Sequence, residues 1–327
     1  MTMIHKRKKV NFKSVEDLNQ LIVDSIPTLP KDLSLIVAVP RSGYIVAGLI
    51  ALNLNLPLCS LNEYLNQFVP VGGRRTGEIK LHLPDRQKVL IVDDSVSSGW
   101  EMRRVREQVD TYNLNHETVF LAAYASSSAW ELVDIALEII DPPQIFEWNV
   151  YHHPHLINSC VDIDGVLCRD ATKEEDDDGE RYLDFLKNVQ PRIIPTVKIG
   201  WLITSRLEKY RAQTEKWLEQ QGVQYENLIM QDLPDLETRR KLNSDAKFKA
   251  KIYASLNAFF FIESSVWQSQ EIAKRTGKAV FCVDNRSFIQ AKTLDGKGAE
   301  VLRKSGSSVK KIRAKLTSLP RRLKPSR

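Results

Sequence analysis

Four short apolar runs constrain this chain more than any other feature: LSLIVAV (33–39), KVLIVD (88–93), TVFLAAYA (118–125) and AFFFIES (258–264). A strand with one wet face alternates polar and apolar residues, whereas an unbroken apolar run is covered on both faces. Helices on either side of a mostly parallel sheet give that environment. The segments between the runs have helical spacing. SVEDLNQLIVDSI (14–26) places Val15, Leu18, Leu21, Ile22 and Ile26 on one stripe. YIVAGLIALNL (44–54) and Trp100 to Tyr112 read as further helices, and LPLCSL (56–61) as another strand. The expected class is α/β, three-layered, with mostly parallel sheets.

The alternation then restarts. After Asp141-Pro142-Pro143 comes the aromatic and histidine-rich stretch QIFEWNVYHHPHLIN, followed by strand-like SCVDIDGVL (159–167), WLITS (201–205), AFFFIES and AVFCVD (279–284). With 327 residues the chain is long enough for two domains. The expected boundaries are 1–155, 156–290 and a tail, 291–327.

Charge belongs to that tail. The net +6 divides into +10 for Gly296–Arg327, with eleven Lys/Arg and one Glu, and −4 for the remainder, with 36 basic and 40 acidic groups. A basic tail, with Val309 to Leu319 as a short amphipathic helix, suits contacts to nucleic acid or an anionic surface. No apolar run reaches the ~18–20 residues of a membrane span, and MTMIHKRKKV lacks the apolar core of a secretory signal. Cys59, Cys160, Cys168 and Cys282 are scattered, without a CxxC pair. They read as small buried hydrophobes in a reducing cytosol, so the expected location is cytoplasmic.

Two constellations carry chemistry. In VLIVDDSVSSG (89–99) a strand ends on two acids, and a hydroxyl-rich loop turns into a helix. Ligands of open α/β sheets bind beyond the carboxyl ends of strands. There the N–H groups and hydroxyls of Ser95, Val96, Ser97, Ser98 and Gly99 can wrap a phosphate. Asp93 and Asp94 would repel that phosphate but can accept hydrogen bonds from a neighbouring sugar diol. The segment resembles the phosphoribosyl-pyrophosphate (PRPP) motif of the type I phosphoribosyltransferases. VAVPRSG (37–43) is similar to that family's pyrophosphate loop, and VPVGGRRTGE (69–78) is placed like its flexible loop. Over residues 10–155 the resemblance implies that Arg41, Ser42 and Gly43 grip the diphosphate and that Arg74 and Arg75 close over it. It also implies use of Mg²⁺, transfer of a phosphoribosyl group to a base-like acceptor, and a homodimer. Ser97 stands where purine-salvage members carry an acid, which weakens a purine reading. Phe146, Trp148 or Tyr151 of FEWNVY can offer a base a stacking face, or simply pack.

The second constellation is DIDGVL (162–167). A D-x-D pair at a strand end can turn both carboxylates into one pocket, one as nucleophile or metal ligand and the other as acid or base. With Thr204 in WLITSR, the lysines of KFKAKIY (247–253) and Glu263 in FFFIESS, it resembles the haloacid dehalogenase (HAD) superfamily, a Rossmann-like fold, over residues 157–286. That resemblance implies Asp162 as nucleophile, Asp164 as acid, and Thr204 and Lys249 on the phosphoryl group. Lys247 and Lys251 are rivals of Lys249. It also implies Mg²⁺ on Asp162, Asp164 and Glu263, and a phosphorylated metabolite as substrate. Glu263 is followed by Ser264, Ser265 and Gln268, not by the family's usual second acid. EEDDDGE (174–180) reads as a solvated acidic loop, and HHPH (152–155) as a linker ahead of a metal site.

The leading expectation is a bifunctional enzyme that transfers a phosphoribosyl group and hydrolyses a phosphate monoester. The alternative is a PRPP-sensing regulator that binds nucleic acid through its tail.

Overall fold

The structure, a computed structural model, describes residues 10–67, 88–112, 114 and 116–290. Arg74 and Arg75, with the rest of VPVGGRRTGE and the basic tail, lie outside the described residues. The chain divides into two compact units at Trp148/Asn149, earlier than the expected 155/156 boundary.

The first unit begins with β1 (Asn11–Lys13) and helix α1 (Val15–Ser25). Ser14 caps that helix: its Oγ accepts from Asp17 N–H while the Asp17 carboxylate accepts from Ser14 N–H. Then follow β2 (Leu33–Ala38), α2 (Gly43–Leu54), β3 (Leu58–Ser60), α3 (Leu61–Leu65), β4 (Lys88–Val96), α4 (Trp100–Tyr112), β5 (Glu117–Ala125), β6 (Ile135–Ile139) and β7 (Gln144–Phe146). A five-stranded parallel sheet runs β3-β2-β4-β5-β6, and β1 pairs with β7 in a separate parallel ribbon. The sheet explains why its strands do not alternate. Val89 and Ile91 pack with Met102 and Val105 of α4 on one face, while Leu90 and Val92 pack with Leu18, Ile22, Val46 and Ile50 on the other. Both faces of β4 are therefore dry, which places its C-terminal end at the centre of the sheet.

The second unit contains β8 (Cys160–Val161), α5 (Glu180–Asn188), β9 (Ile199–Leu207), α6 (Arg211–Gln220), β10 (Tyr225–Gln231), α7 (Leu236–Leu242), α8 (Asp245–Ser255), β11 (Phe260–Glu263), α9 (Val266–Thr276), β12 (Ala279–Cys282) and β13 (Ser287–Ile289). Its six-stranded sheet has the order β10-β9-β8-β11-β12-β13, parallel except for β13. The class is thus α/β with mostly parallel sheets in both units. All four cysteines are free and buried. No helix among the described residues is long and apolar enough to cross a membrane.

Three local expectations need correction. The strand expected over 159–167 stops at Val161, because Asp162 onward turns: the N–H groups of Val166, Leu167 and Cys168 all point at the Ile163 carbonyl. Gly165 sits in that turn at φ +75, where a Cβ would stand 2.3 Å from Ser264 Oγ. Ser95 and Val96, expected in a loop, complete strand β4. Finally, EEDDDGE is an ion-paired knot instead of a solvated loop. Glu175 takes a fork from Arg169 at 2.6 and 2.6 Å, Asp176 binds Arg240 at 2.8 Å, and Asp178 accepts from Lys209 and Tyr210 at 2.8 Å each. Asp177 accepts from the N–H groups of Gly179 and Tyr182, at the start of α5.

Candidate active sites

At the first site, β4 carries Asp93 and Asp94 to the C-terminal edge of the sheet, where they are 7% and 3% exposed. The neighbouring strand β2 leads through Arg41 into α2, whose first residue is Gly43. A Cβ on Gly43 would lie 2.6 Å from the Val92 carbonyl oxygen, so only glycine lets the helix start so close to β4. That approach places Ser42 Oγ 2.9 Å from Asp94 Oδ1, to which it donates. The other carboxylate oxygen, Oδ2, accepts from Trp148 Nε1 at 2.7 Å. Asp93 accepts from Asp94 N–H at 2.8 Å, and burial, reinforced by the Asp94 charge, pushes its carboxyl up to about 8. Arg41, Ser97 and Ser98 are exposed around this pair, the serines just ahead of α4. Gly99, at φ +77, completes the turn, and buried Ser126 donates to the Ser97 carbonyl at 2.6 Å.

Of the FEWNVY aromatics, Phe146 is a core residue stacked between Tyr124 at 5.3 Å and Trp148 at 4.8 Å. Tyr151 packs edge-on against Phe281 at 6.1 Å. Packing accounts for both. Trp148 is tied to the acid pair through its N–H, a role that the sequence reading did not give it.

At the second site, the turn after β8 presents Asp162 beside Lys249 of α8. The Lys249 ammonium donates to Asp162 Oδ2 at 2.6 Å, Glu263 Oε2 at 2.7 Å and Gln268 Oε1 at 3.1 Å. Lys249 is 2% exposed, whereas Lys247 and Lys251 face solvent. Burial disfavours the ammonium, but the Asp162 and Glu263 charges outweigh it and hold Lys249 protonated, above its ordinary value. Burial also pushes the Asp162 carboxyl up, against the pull of Lys249. Two carboxylates share one cation, and a single negative charge suffices to keep the lysine charged.

Asp164 has a different partner. The Arg206 guanidinium, with its side chain fully buried, grips it through Nη2 at 2.7 Å and Nε at 3.0 Å. Burial would raise the Asp164 carboxyl, but the Arg206 charge and fork hold it below its ordinary value. Thr204, on the same face of β9 as Arg206, is buried and accepts from Arg206 N–H at 3.2 Å. Alternate residues of one strand share a face, so Arg206 lies on the side of β9 that Thr204 occupies, while Ser205 between them lines the cleft beside Asp162 and Thr204 does not.

The carboxylates expected to hold Mg²⁺ do not fit it as arranged. Asp162 and Glu263 are bridged by Lys249, and Asp164 is forked by Arg206. No group of three His, Cys, Asp or Glu among the described residues is placed to hold a metal ion. The HHPH histidines are occupied by packing. His152 meets Thr196 at 3.1 Å, and His153 accepts from His155 N–H at 3.2 Å. Burial, with His155 alongside, lowers His153 to about 4.

No family model and no curated protein matches this chain. Among solved structures it is similar to the purine phosphoribosyltransferase of Pyrococcus horikoshii, with 18% identity and a TM-score of 0.33, over 43% of this chain and 94% of that one. The xanthine-guanine-hypoxanthine phosphoribosyltransferase of Helicobacter pylori gives 17%, 0.33, 43% and 92% in the same order. The UMP synthase of Leishmania donovani gives 16%, 0.28, 38% and 27%. At such values the likenesses assign no family.

Proposed function

We propose that the chain is an enzyme with two active sites, one transferring a phosphoribosyl group from PRPP to a base-like acceptor and one hydrolysing a phosphate monoester. The observation that carries the first reading is the 2.9 Å hydrogen bond from Ser42 to Asp94, which joins two motifs 52 residues apart at one edge of the sheet. In the transfer, the anomeric C–O bond to pyrophosphate breaks as a C–N bond to the acceptor forms, and the acceptor loses a proton. Asp93 and Asp94 accept the ribose hydroxyls, and the Asp94 charge, beside a protonated Asp93, offsets the positive charge that develops on the ring. Ser97, Ser98 and Gly99, ahead of α4, take the 5′-phosphate, and Arg41 meets the departing diphosphate.

The second reading is supported by the buried Asp162–Lys249–Glu263 cluster, in which Asp162 and Lys249 line a cleft. The Asp162 carboxylate attacks phosphorus as the P–O bond to the ester oxygen breaks and the alcohol leaves with a proton from solvent. Water then hydrolyses the aspartyl-phosphate, releasing phosphate and restoring the carboxylate. Lys249 holds the nucleophile and offsets charge on the phosphoryl oxygens. The 5′-phosphate of the first product is a natural substrate for the second site.

Incubation with PRPP, Mg²⁺ and a panel of bases tests both readings, following pyrophosphate and then phosphate. Asp94→Asn is expected to abolish pyrophosphate release, and Asp162→Asn only phosphate release. Survival of both signals in both variants would refute the assignments.

A further inference from the structure

The cleft beside Asp162 has a volume of about 200 Å³ and carries more polar wall than a phosphoryl group needs. Part of that wall lacks hydrogen-bond partners. Asp245 and Ser205 line the cleft, and one polar atom of each, Asp245 Oδ1 and Ser205 Oγ, is buried without a hydrogen bond. The ion-pair partner of Asp245 is Arg239, whose Nε lies 3.8 Å from Oδ1, beyond hydrogen-bond distance. Arg239 lies on α7 and lines the same cleft, with its side chain 16% exposed. Its one close hydrogen bond runs from Nη1 to the Ser205 carbonyl at 3.1 Å, while Nη2 stands 3.6 Å from Asp176. The wall therefore offers a carboxylate oxygen that can only accept, a hydroxyl that can do either, and a guanidinium with donors to spare.

An alkyl group satisfies none of these. A hydroxyl satisfies all of them: it donates to Asp245 while its lone pairs accept from Arg239 or Ser205. Two neighbouring hydroxyls would engage the acid and the guanidinium together. At ~30 Å³ per water in the liquid, the space holds roughly six or seven waters, the scale of a small sugar or polyol phosphate. Tyr182 and Phe185, paired with ring centroids 5.9 Å apart, add an aromatic wall against which a sugar ring can lie. We infer that this cleft is a subsite for a hydroxylated phosphate monoester, a sugar or polyol phosphate, recognised by Arg239, Asp245 and Ser205. The inference rests on the reading of Asp162 as the centre of phosphate-ester hydrolysis and adds the substrate class. A site that leaves buried polar groups unpaired discriminates strongly against an analogue lacking the hydroxyl.

The test compares glycerol 3-phosphate with propyl phosphate, which share a carbon skeleton and differ in two hydroxyls. With the full chain, kcat/KM for glycerol 3-phosphate is expected to exceed that for propyl phosphate at least tenfold. Asp245→Asn and Ser205→Ala should each collapse the ratio towards one. A wild-type ratio near one overturns the subsite and leaves the hydrolytic reading standing. So does a ratio that survives both variants. Should a variant fail to fold, the wild-type ratio decides. If neither ester is hydrolysed, the hydrolytic reading falls, and calorimetric titration of the two esters decides the subsite. Preferential binding of glycerol 3-phosphate, lost in Asp245→Asn, keeps it; equal or absent binding removes it.

Discussion

A carboxyl titrating near 8 instead of the ordinary 3.8 makes Asp93 a measurable element of stability. Burial is the main cause, and the neighbouring Asp94 charge adds to it. Between those two pH values the folded chain keeps a proton on Asp93 that the unfolded chain has released. The native state then binds more protons, so stability falls as pH rises through the window and is fully present only below about pH 4. The slope is on the order of 1 kcal/mol per pH unit. Asp93→Asn, which never ionises, removes it. Urea denaturation at pH 5 and pH 8 should show the wild type losing stability relative to Asp93→Asn, and parallel behaviour would sink the account. At this scale the sequence revealed one sign of charge better than the other. Asp93, Asp94, Asp162 and Glu263 stand out because acids at the end of an apolar strand are conspicuous. Lys249, which answers Asp162 and Glu263, was legible in a lysine-rich helix, but Arg206 and Arg239, which face Asp164, Asp176 and Asp245, were not, and only the folded chain brings Arg206 to Asp164, 42 residues earlier.

At the scale of elements, α2 tests how closely the first site depends on packing. A Cβ at Gly43 would meet two backbone atoms, the Val92 oxygen at 2.6 Å and the Asp93 Cα at 3.2 Å, and neither can swing aside. Gly43→Ala must therefore push the start of α2 away from β4 and separate Ser42 from Asp94. Overpacking of this kind costs about 1–3 kcal/mol, and PRPP affinity is expected to fall at least tenfold. Gly48, in the same helix, has open space around its missing Cβ. Gly48→Ala should stabilise the chain by about 0.5–1 kcal/mol and leave PRPP affinity unchanged. Equal PRPP affinity in the two variants would disprove the argument from close approach. Elements of this kind, long and dry on both sides, were legible before folding: β2, β4, β5, α2 and α4 lie close to their expected places. The elements that were missed give a weaker signal. β10, with the sequence YENLIMQ, is an edge strand that exposes Glu226 and Asn227, and β1, β7 and β13 have three residues each. The DIDGVL segment misled because its apolar residues are buried in a turn and not in a strand.

For the whole molecule, the division at Trp148/Asn149 gives each unit its own sheet and its own buried core. The first site draws its described residues from the first unit, and the cleft beside Asp162 draws its residues from the second. A ligand that binds only the native form of one unit stabilises that unit by RT ln(1 + [L]/Kd), or ~2.7 kcal/mol at a hundredfold excess over Kd. Multidomain chains need not unfold in one step, so denaturant unfolding should resolve two transitions. PRPP should move one of them and glycerol 3-phosphate the other. Tryptophan reports on both, since Trp100, Trp130 and Trp148 belong to the first unit and Trp201, Trp217 and Trp267 to the second. Phenylalanine at the three positions of one unit at a time leaves a chain whose fluorescence follows the other. The transition seen by the first set is expected to shift with PRPP and to ignore glycerol 3-phosphate, and the second set should show the reverse. A single transition that shifts with either ligand would mean that the two units unfold as one, and that occupancy of one site is felt at the other.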